Sequence, residues 1–336
     1  MTVTIRDVAR LAEVSIATVS RVLNRSKPVS PELEEKVMKV VDELGFNPNP
    51  VARTLIMKES LLIGVLIPDV SNTFISMFVR GIEEELFQNG YTALLCNTNS
   101  DTKIELHYLD LLRKKYVDGI VLLTSAPKPE QIQFFKKHKI PVIFSSHTDK
   151  DSRFSCINID DYQASYDAAR YLIGLGHRSI AFFCGPMEYY QTIRRFDGYK
   201  QALADHGVDY RAEWVFDKDY DIDSGYNSGM ELFAREDRPT AICCVSDMVA
   251  IGAIRAAEDS GLGVPEDVSI MGFDDIPIAG ASRPRITTVR QPVYELGTRS
   301  AQMLLRQIRG KEQYKREAIV LPHEIIERES CRALTT

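Results

Sequence analysis

A chain of 336 residues, 44% hydrophobic and 26% charged, is too long for one ordinary domain and predicts two or three with a substantial core. No run approaches the roughly 18 consecutive apolar residues of a membrane helix. Met1-Thr2-Val3-Thr4-Ile5-Arg6-Asp7 lacks an apolar signal segment, so the expected place is the cytoplasm, with no membrane partner.

The net charge of −6 argues, as an average, against nucleic acid, but the average hides an asymmetry. Residues 1–30 carry +3 and the remainder −9, the pattern of a basic module on an acidic body. The cysteines (Cys96, Cys156, Cys184, Cys243, Cys244 and Cys331) have no C-x-x-C spacing, and most lie in apolar runs where a thiol serves as a small hydrophobe. The histidines lack metal-ligand spacing, and no Walker motif or nucleophile–base set appears, so no metal, cofactor or catalytic residue is expected.

Three short helices open the chain. Thr4 can cap the first, through Ile5, Val8, Ala9 and Ala12. Val14-Ser15 breaks it, and Ser15 can cap a second, Ile16 to Leu23. The third begins at Ser30-Pro31, runs Leu33, Val37, Val40, Val41, Leu44, and stops at Gly45. The first two, joined by a short turn, form a helix-turn-helix. On the second, Val19, Val22 and Leu23 supply a core face, while Ile16, Ala17, Ser20 and Arg21 point elsewhere. The start of such a helix faces base edges in a major groove, where Arg21 can bond guanine twice and Ile16 and Ala17 can meet thymine methyls. A plain three-helix bundle with one exposed arginine is the competing reading. Beyond Gly45, Pro48 and Pro50 stiffen residues 47–56, where a helix of one or two turns would be too short to persist alone in water.

From Leu61 onward, strand-length apolar runs alternate with helical stretches: Leu61–Pro68, Tyr91–Asn97, Gly119–Thr124, Pro141–Ser145, Ser179–Gly185, Ala241–Ser246 and Val268–Phe273. Such runs predict parallel sheets covered on both faces, and seven exceed one doubly wound sheet, so two lobes are expected. Ligands bind beyond the carboxyl ends of such strands. The site-forming segments should therefore be Pro68 to Phe74, Ser145-Ser146-His147, Gly185 to Tyr190, Ser246-Asp247 and Phe273-Asp274-Asp275. Gly174-Leu175-Gly176 and Gly261-Leu262-Gly263 lie after helices and before strands, which makes them helix stops rather than phosphate loops.

The strings Thr4 to Ala12, Val14 to Asn24, Glu43 to Asn49 and Val51 to Leu55 closely resemble the head of the LacI/GalR family of bacterial repressors. Gly64 to Pro68, Val117-Asp118-Gly119, Ile140-Pro141-Val142, Gly174 to Arg178 and Arg195 to Tyr199 continue the resemblance. So do Pro239-Thr240-Ala241, Val264 to Ile270, Thr287-Thr288-Val289 with Gln291-Pro292, and Pro322-His323-Glu324. The resemblance implies an all-α helix-turn-helix head (1–46), a hinge region with a short helix (47–60), and a two-lobed α/β effector domain (61–336). That domain resembles type I periplasmic binding proteins, with one lobe about 61–160 and 291–320 and the other about 161–290 and 321–336.

The resemblance also assigns residues. Ile16, Ala17 and Arg21 would read bases, and Thr18, Ser20 and the backbone near Asn24 would hold phosphates; Thr4, Ser15 and Ala52 complete the DNA-facing set. Leu55 would wedge between base pairs in the minor groove and bend the duplex. Phe74, Ser146, His147, Tyr189, Gln191, Arg195, Tyr220, Asp247 and Asp274 would line the effector cleft. The chemistry agrees: Arg195 is a fork of donors, Asp247 and Asp274 are acceptors suited to sugar hydroxyls, and the aromatics can cover an apolar ring face.

Two departures bear on the effector. Thr73-Phe74-Ile75 replaces the usual proline–aromatic pair, and Tyr189-Tyr190-Gln191-Thr192 differs from the purine-responsive members, which favours a sugar or sugar phosphate. A purine or nucleoside effector, and a phosphoprotein co-repressor as in the catabolite-control branch, are the alternatives. The sequence ends soon after Glu329 without a C-terminal heptad helix, so a homodimer on a pseudo-palindromic operator is expected. The helix Val293 to Arg309 is a candidate for packing near the dimer interface or for contacting a protein partner. The expected function is a nucleoid-associated, non-enzymatic repressor whose operator affinity is coupled to effector binding.

Overall fold

The structure, a computed structural model, describes residues 3–24, 28–46, 59–123, 128–145, 154–310 and 315–334. The chain divides into two compact units, residues 1–60 and 61–336. The hinge region with Ala52 and Leu55, and the cleft candidates Ser146 and His147, lie outside the described residues.

Among its described residues the first unit has three helices, α1 (Ile5–Leu11), α2 (Ile16–Asn24) and α3 (Pro31–Leu44). Their apolar positions converge on a small core in which Val8, Val19 and Val37 are fully buried, with Ala9, Ala12, Val22, Val40 and Val41 around them. Leu33, on the expected stripe of α3, is instead exposed in the first turn of that helix, whose buried residues begin at Val37. Local chemistry sets the ends. The backbone and hydroxyl of Thr4 both donate to Asp7 Oδ2 (3.0 and 2.7 Å), which holds the Asp7 carboxyl below its ordinary pKa. Ser15 Oγ accepts from the Thr18 backbone N–H at 3.0 Å, and Gly45 ends α3 at φ +56°.

The second unit holds two six-stranded sheets. In one lobe β1 (Leu62–Ile67), β2 (Thr92–Asn97), β3 (Gly119–Leu123), β4 (Val142–Ser145), β5 (Ser155–Ile159) and β11 (Ala318–Leu321) run parallel in the order 11-5-4-3-1-2. In the other, β6 (Ile180–Cys184), β7 (Val215–Asp217), β8 (Ala241–Cys244), β9 (Ser269–Asp274) and β10 (Thr287–Arg290) are parallel, and β12 (Glu324–Ile326) closes the edge antiparallel to β10. The order 12-10-9-8-6-7 repeats the first sheet's topology. All seven apolar runs became strands. The five that periodicity missed are short, polar or at an edge: β11, for example, alternates between exposed and half-buried residues.

Helices cover both faces, as parallel strands require. α4 (Thr73–Gln88) packs with α12 (Val293–Gly310) on one face of the first sheet, and α5 (Thr102–Lys114) and α6 (Pro129–His138) cover the other. The α4–α12 crossing is close enough that a Cβ on Gly297 would fall 2.0 Å from the Phe78 carbonyl oxygen. On the second sheet α7 (Asp161–Gly174) pairs with α8 (Tyr190–Asp205), and α9 (Ile222–Phe233) with α10 (Asp247–Asp259); the single-turn α11 (Pro277–Ala281) lies between β9 and β10. Gly176 and Gly261, at φ +95° and +72°, stop the chain after α7 and α10. The backbone passes between lobes at residue 160, at 291–292 and at 322–323, so three short segments connect two rigid bodies. Among the described residues no helix is long and apolar enough to cross a membrane.

Candidate functional site

Both sheets present the carboxyl ends of their strands to a cleft between the lobes, with a volume of about 560 Å3. That is mid-range for sites that enclose a small organic molecule. From the first lobe, the turn after β1 enters it. Asp69 accepts from the Ser71 N–H (2.9 Å) and hydroxyl, and Asn72 caps α4 by accepting from the Phe74 N–H at 2.9 Å, which sets the Phe74 ring in the wall.

The second lobe supplies a more tightly bonded floor. Arg195 leaves the second turn of α8 and is 6% exposed. Its Nε donates to Asp161 Oδ1 (2.8 Å) at the start of α7, and a terminal nitrogen donates to the Val245 carbonyl (2.7 Å) beyond β8. The same nitrogen lies 4.0 Å from Asp274 Oδ1, and the guanidinium carbon sits 3.7 Å from the centre of the Phe273 ring. Burial pushes the Asp161 and Asp274 carboxyls up from the ordinary range, only partly offset by Arg195. For Arg195 the burial that would lower its pKa is outweighed by Asp161 and Asp274, so the guanidinium stays charged.

Asp274 is aimed by its backbone. It has φ +113° and Asp275 follows at +58°, a run that a non-glycine chain adopts only when its surroundings impose it. Those surroundings are visible. Asp275 receives Arg328 (2.6 Å) and Arg290 (2.7 Å), and Gln291 Nε2 donates to Asp274 Oδ1 at 2.7 Å.

Asp247 does not line the cleft, contrary to the sequence expectation. At the first position of α10 it points down into the lobe and is fully buried. Its oxygens are taken by the Thr288 hydroxyl (2.6 Å) and the Ile276 N–H (2.9 Å). Burial and then the nearby Asp274 raise its pKa, so those two donors are what stabilise the carboxylate there. Its role is to join β10 to the loop carrying Asp274; Ser246, one residue earlier, takes the place in the wall.

Tyr189, Gln191 and Tyr220 also line the cleft. The two tyrosine rings are near parallel, at 17° with centroids 6.1 Å apart. Tyr220 lies over Gly185, where any Cβ would come 2.5 Å from Cζ, and it hydrogen-bonds the Thr192 hydroxyl. Gln191 Oε1 is buried with no hydrogen-bond partner among the described residues. Phe74, Tyr189, Gln191, Arg195, Tyr220 and Asp274 thus meet in one place. Sequence reasoning missed Asp161, Asn158 and Gln291, which also line the cleft. The first two attach to β5, which carried no recognised strand signal, while the Gln291-Pro292 motif after β10 was the available clue to the third.

In the first unit, Ile16, Ala17 and Arg21 are exposed, facing away from Val19 and Val22. Thr18 and Ser20 are half-buried, and the Ser15 and Thr18 hydroxyls pair at 2.8 Å. Thr4 is exposed at the start of α1, and Asn24 ends α2. Ile16 is 46% exposed, which is unusual for a side chain of its type on a helix that also supplies core residues.

Two family models match the chain. Residues 4–49 match "Bacterial regulatory proteins, lacI family", and residues 60–329 match "Periplasmic binding proteins and sugar binding domain of LacI family". The chain is 38% identical to catabolite control protein A of Priestia megaterium, covering 99% of this chain and all of that protein. It is 35% identical to the HTH-type transcriptional repressor PurR of Vibrio campbellii, covering 98% and 99% of the two chains. Among solved structures, the Lac repressor dimer bound to operator and the anti-inducer ONPF is similar with a TM-score of 0.89 at 28% identity, over 99% of this chain and 100% of that one.

Proposed function

The chain belongs to the LacI family of bacterial regulatory proteins and is a DNA-binding transcription regulator, and from that premise we propose that it is a homodimeric, cytoplasmic repressor governed by a carbohydrate effector. In this reading α2 enters the major groove. Ile16, Ala17 and Arg21 read bases there, and Thr4, Ser15, Thr18, Ser20 and Asn24 hold the phosphate backbone. Ala52 and Leu55 would engage the minor groove. A dimer would present two copies of this surface to the half-sites of a pseudo-palindrome.

The observation that carries the effector reading is the cleft at the carboxyl ends of both sheets. It has aromatic walls, the Asp274 carboxylate held beneath it by Arg195 and Gln291, and the polar side chain of Gln191 in its lining. Ligand bridging the lobes would rotate them about the three connecting segments and so bias the operator-competent state, and by linkage DNA would alter effector affinity by the same factor.

The test is operator selection from random duplexes with the full chain, followed by anisotropy titrations of the selected site with sugars. A palindromic site whose affinity changes with a sugar is the expected result. Absence of any salt-resistant sequence preference, with or without candidate metabolites, would sink the regulator reading. The likeness to a catabolite control protein sustains a phosphoprotein co-repressor as the second reading. In that case the selected operator would respond to a phosphorylated partner protein and to no sugar.

A further inference from the structure

The charge lining the cleft discriminates between the ligand classes a sugar-binding fold can take. Arg195 gives its Nε to Asp161 and one terminal nitrogen to Val245, with Asp274 4.0 Å away, so its charge is already matched by the carboxylates beside it. With that Arg195–Asp161 pair set aside, the described wall presents Asp69, Glu105, Glu188, Asp219, Asp221 and Asp274 against Lys128 alone.

The helix starts around the cleft carry the same message. A free helix N-terminus is an anion site because its first N–H groups lack partners. Here the chain fills them itself. Asn72 caps α4, Asp101 caps α5, Asp160 caps α7, Asp221 caps α9 and Ser246 caps α10, each accepting from a first-turn N–H. The starts of α6, α8 and α11 carry no such cap: their cap residues are Lys128, Tyr189 and Ile276, and the residue before Tyr189 is the exposed acid Glu188. The remaining polar side chains, hydroxyls and amides such as Ser71, Asn72, Tyr189 and Gln191, carry both donors and acceptors, and the carboxylates add acceptors only. Acceptors of this kind recognise hydroxyl or amine donors.

We propose that the cleft takes a glycan bearing no anionic group and rejects phosphorylated sugars, a specificity that rests on reading the cleft as the effector site. A phosphate entering it meets a mostly acidic wall and five helix starts whose N–H groups are already taken, so little there compensates its desolvation. A hydroxylated ligand meets acceptors in both lobes and aromatic faces at Phe74, Tyr189 and Tyr220.

Isothermal titration of the full chain with paired probes tests this: glucose and glucose 6-phosphate, trehalose and trehalose 6-phosphate, with cellobiose and glucosamine as unpaired members. The expected result is binding of at least one unphosphorylated probe, with phosphorylated probes weaker by at least about tenfold, a gap of about 1.4 kcal/mol. That gap should narrow as salt is raised. Glu188→Lys, on an exposed side chain, should improve binding of the phosphorylated probes by about tenfold. A phosphorylated probe that binds as tightly as its parent, or more tightly, overturns the proposal and leaves the effector reading intact. Silence from every probe overturns both the proposal and the carbohydrate reading, while the operator selection, which uses no sugar, still decides whether the chain is a regulator.

Discussion

The head and the cleft hold their functional side chains by different means. On α2 the outward residues Ile16, Ala17 and Arg21 stand exposed, and their support is local: the Ser15 cap three residues before Thr18, and a core of small valines on the same helix. In the cleft the working groups are buried and tied to distant parts of the chain. Arg195 reaches Asp161, 34 residues away, and Val245, 50 away; Gln291 reaches Asp274, 17 away. An exposed side chain can be replaced without the fold noticing, while a buried charged one leaves its partners stranded. The head can therefore vary its reading residues freely. The cleft can change specificity only where its wall is not also its framework.

The sharpest break in that comparison is Arg195→Ala. It leaves the Asp161 and Asp274 carboxylates buried without their guanidinium, a change expected to cost about 3–5 kcal/mol. Chemical denaturation of the effector domain should report it. Arg21→Ala is the counterpart in the head: discrimination at one base pair per half-site should fall by about 1–3 kcal/mol, with stability moving by less than about 0.5 kcal/mol. Selection returning an unchanged operator for that variant would remove Arg21 from the readers.

A smaller effect separates the two regions by pH. Burial raises the Asp274 pKa, so the folded protein holds that proton more tightly than the unfolded chain. The group's contribution to stability is therefore greatest below its ordinary value of 3.8 and is lost as pH rises through the elevated one. Sugar binding through the carboxylate has the opposite sign and weakens as pH falls through that elevated value. Melting and titration curves of Asp274→Asn against the parent should isolate both trends, and parallel curves would mean that Asp274 does not titrate in the folded protein. The mildest test is Ser15→Ala, which removes the cap of α2 and should cost the head about 1 kcal/mol. No change in head stability would place the cap's function in DNA contact alone.

The same distinction governs what could be read without coordinates. Thr4, Ser15, Pro31 and Gly45 declare the head's helix ends because capping is settled within four residues, and seven strands announced themselves through continuous apolar runs. The outward face of α2 follows from helical period alone. Leu33 misled because period assigns a face to a residue without saying whether that turn of the helix is covered.

The sequence by itself therefore determined the two architectures, the family likeness and the outward face of α2, all of which depend on neighbours a few residues away. Only tertiary structure decided which carboxylate faces the ligand. Asp247 and Asp274 follow successive strands and look equivalent as text. Asp247 is turned inward by the Thr288 hydroxyl and the Ile276 amide, and Asp274 is turned toward the cleft by a positive φ that Asp275, Arg290 and Arg328 sustain from separate parts of the chain. A side chain's direction at a strand end is set by which distant donors reach it first, and those donors become neighbours only when the sheet closes.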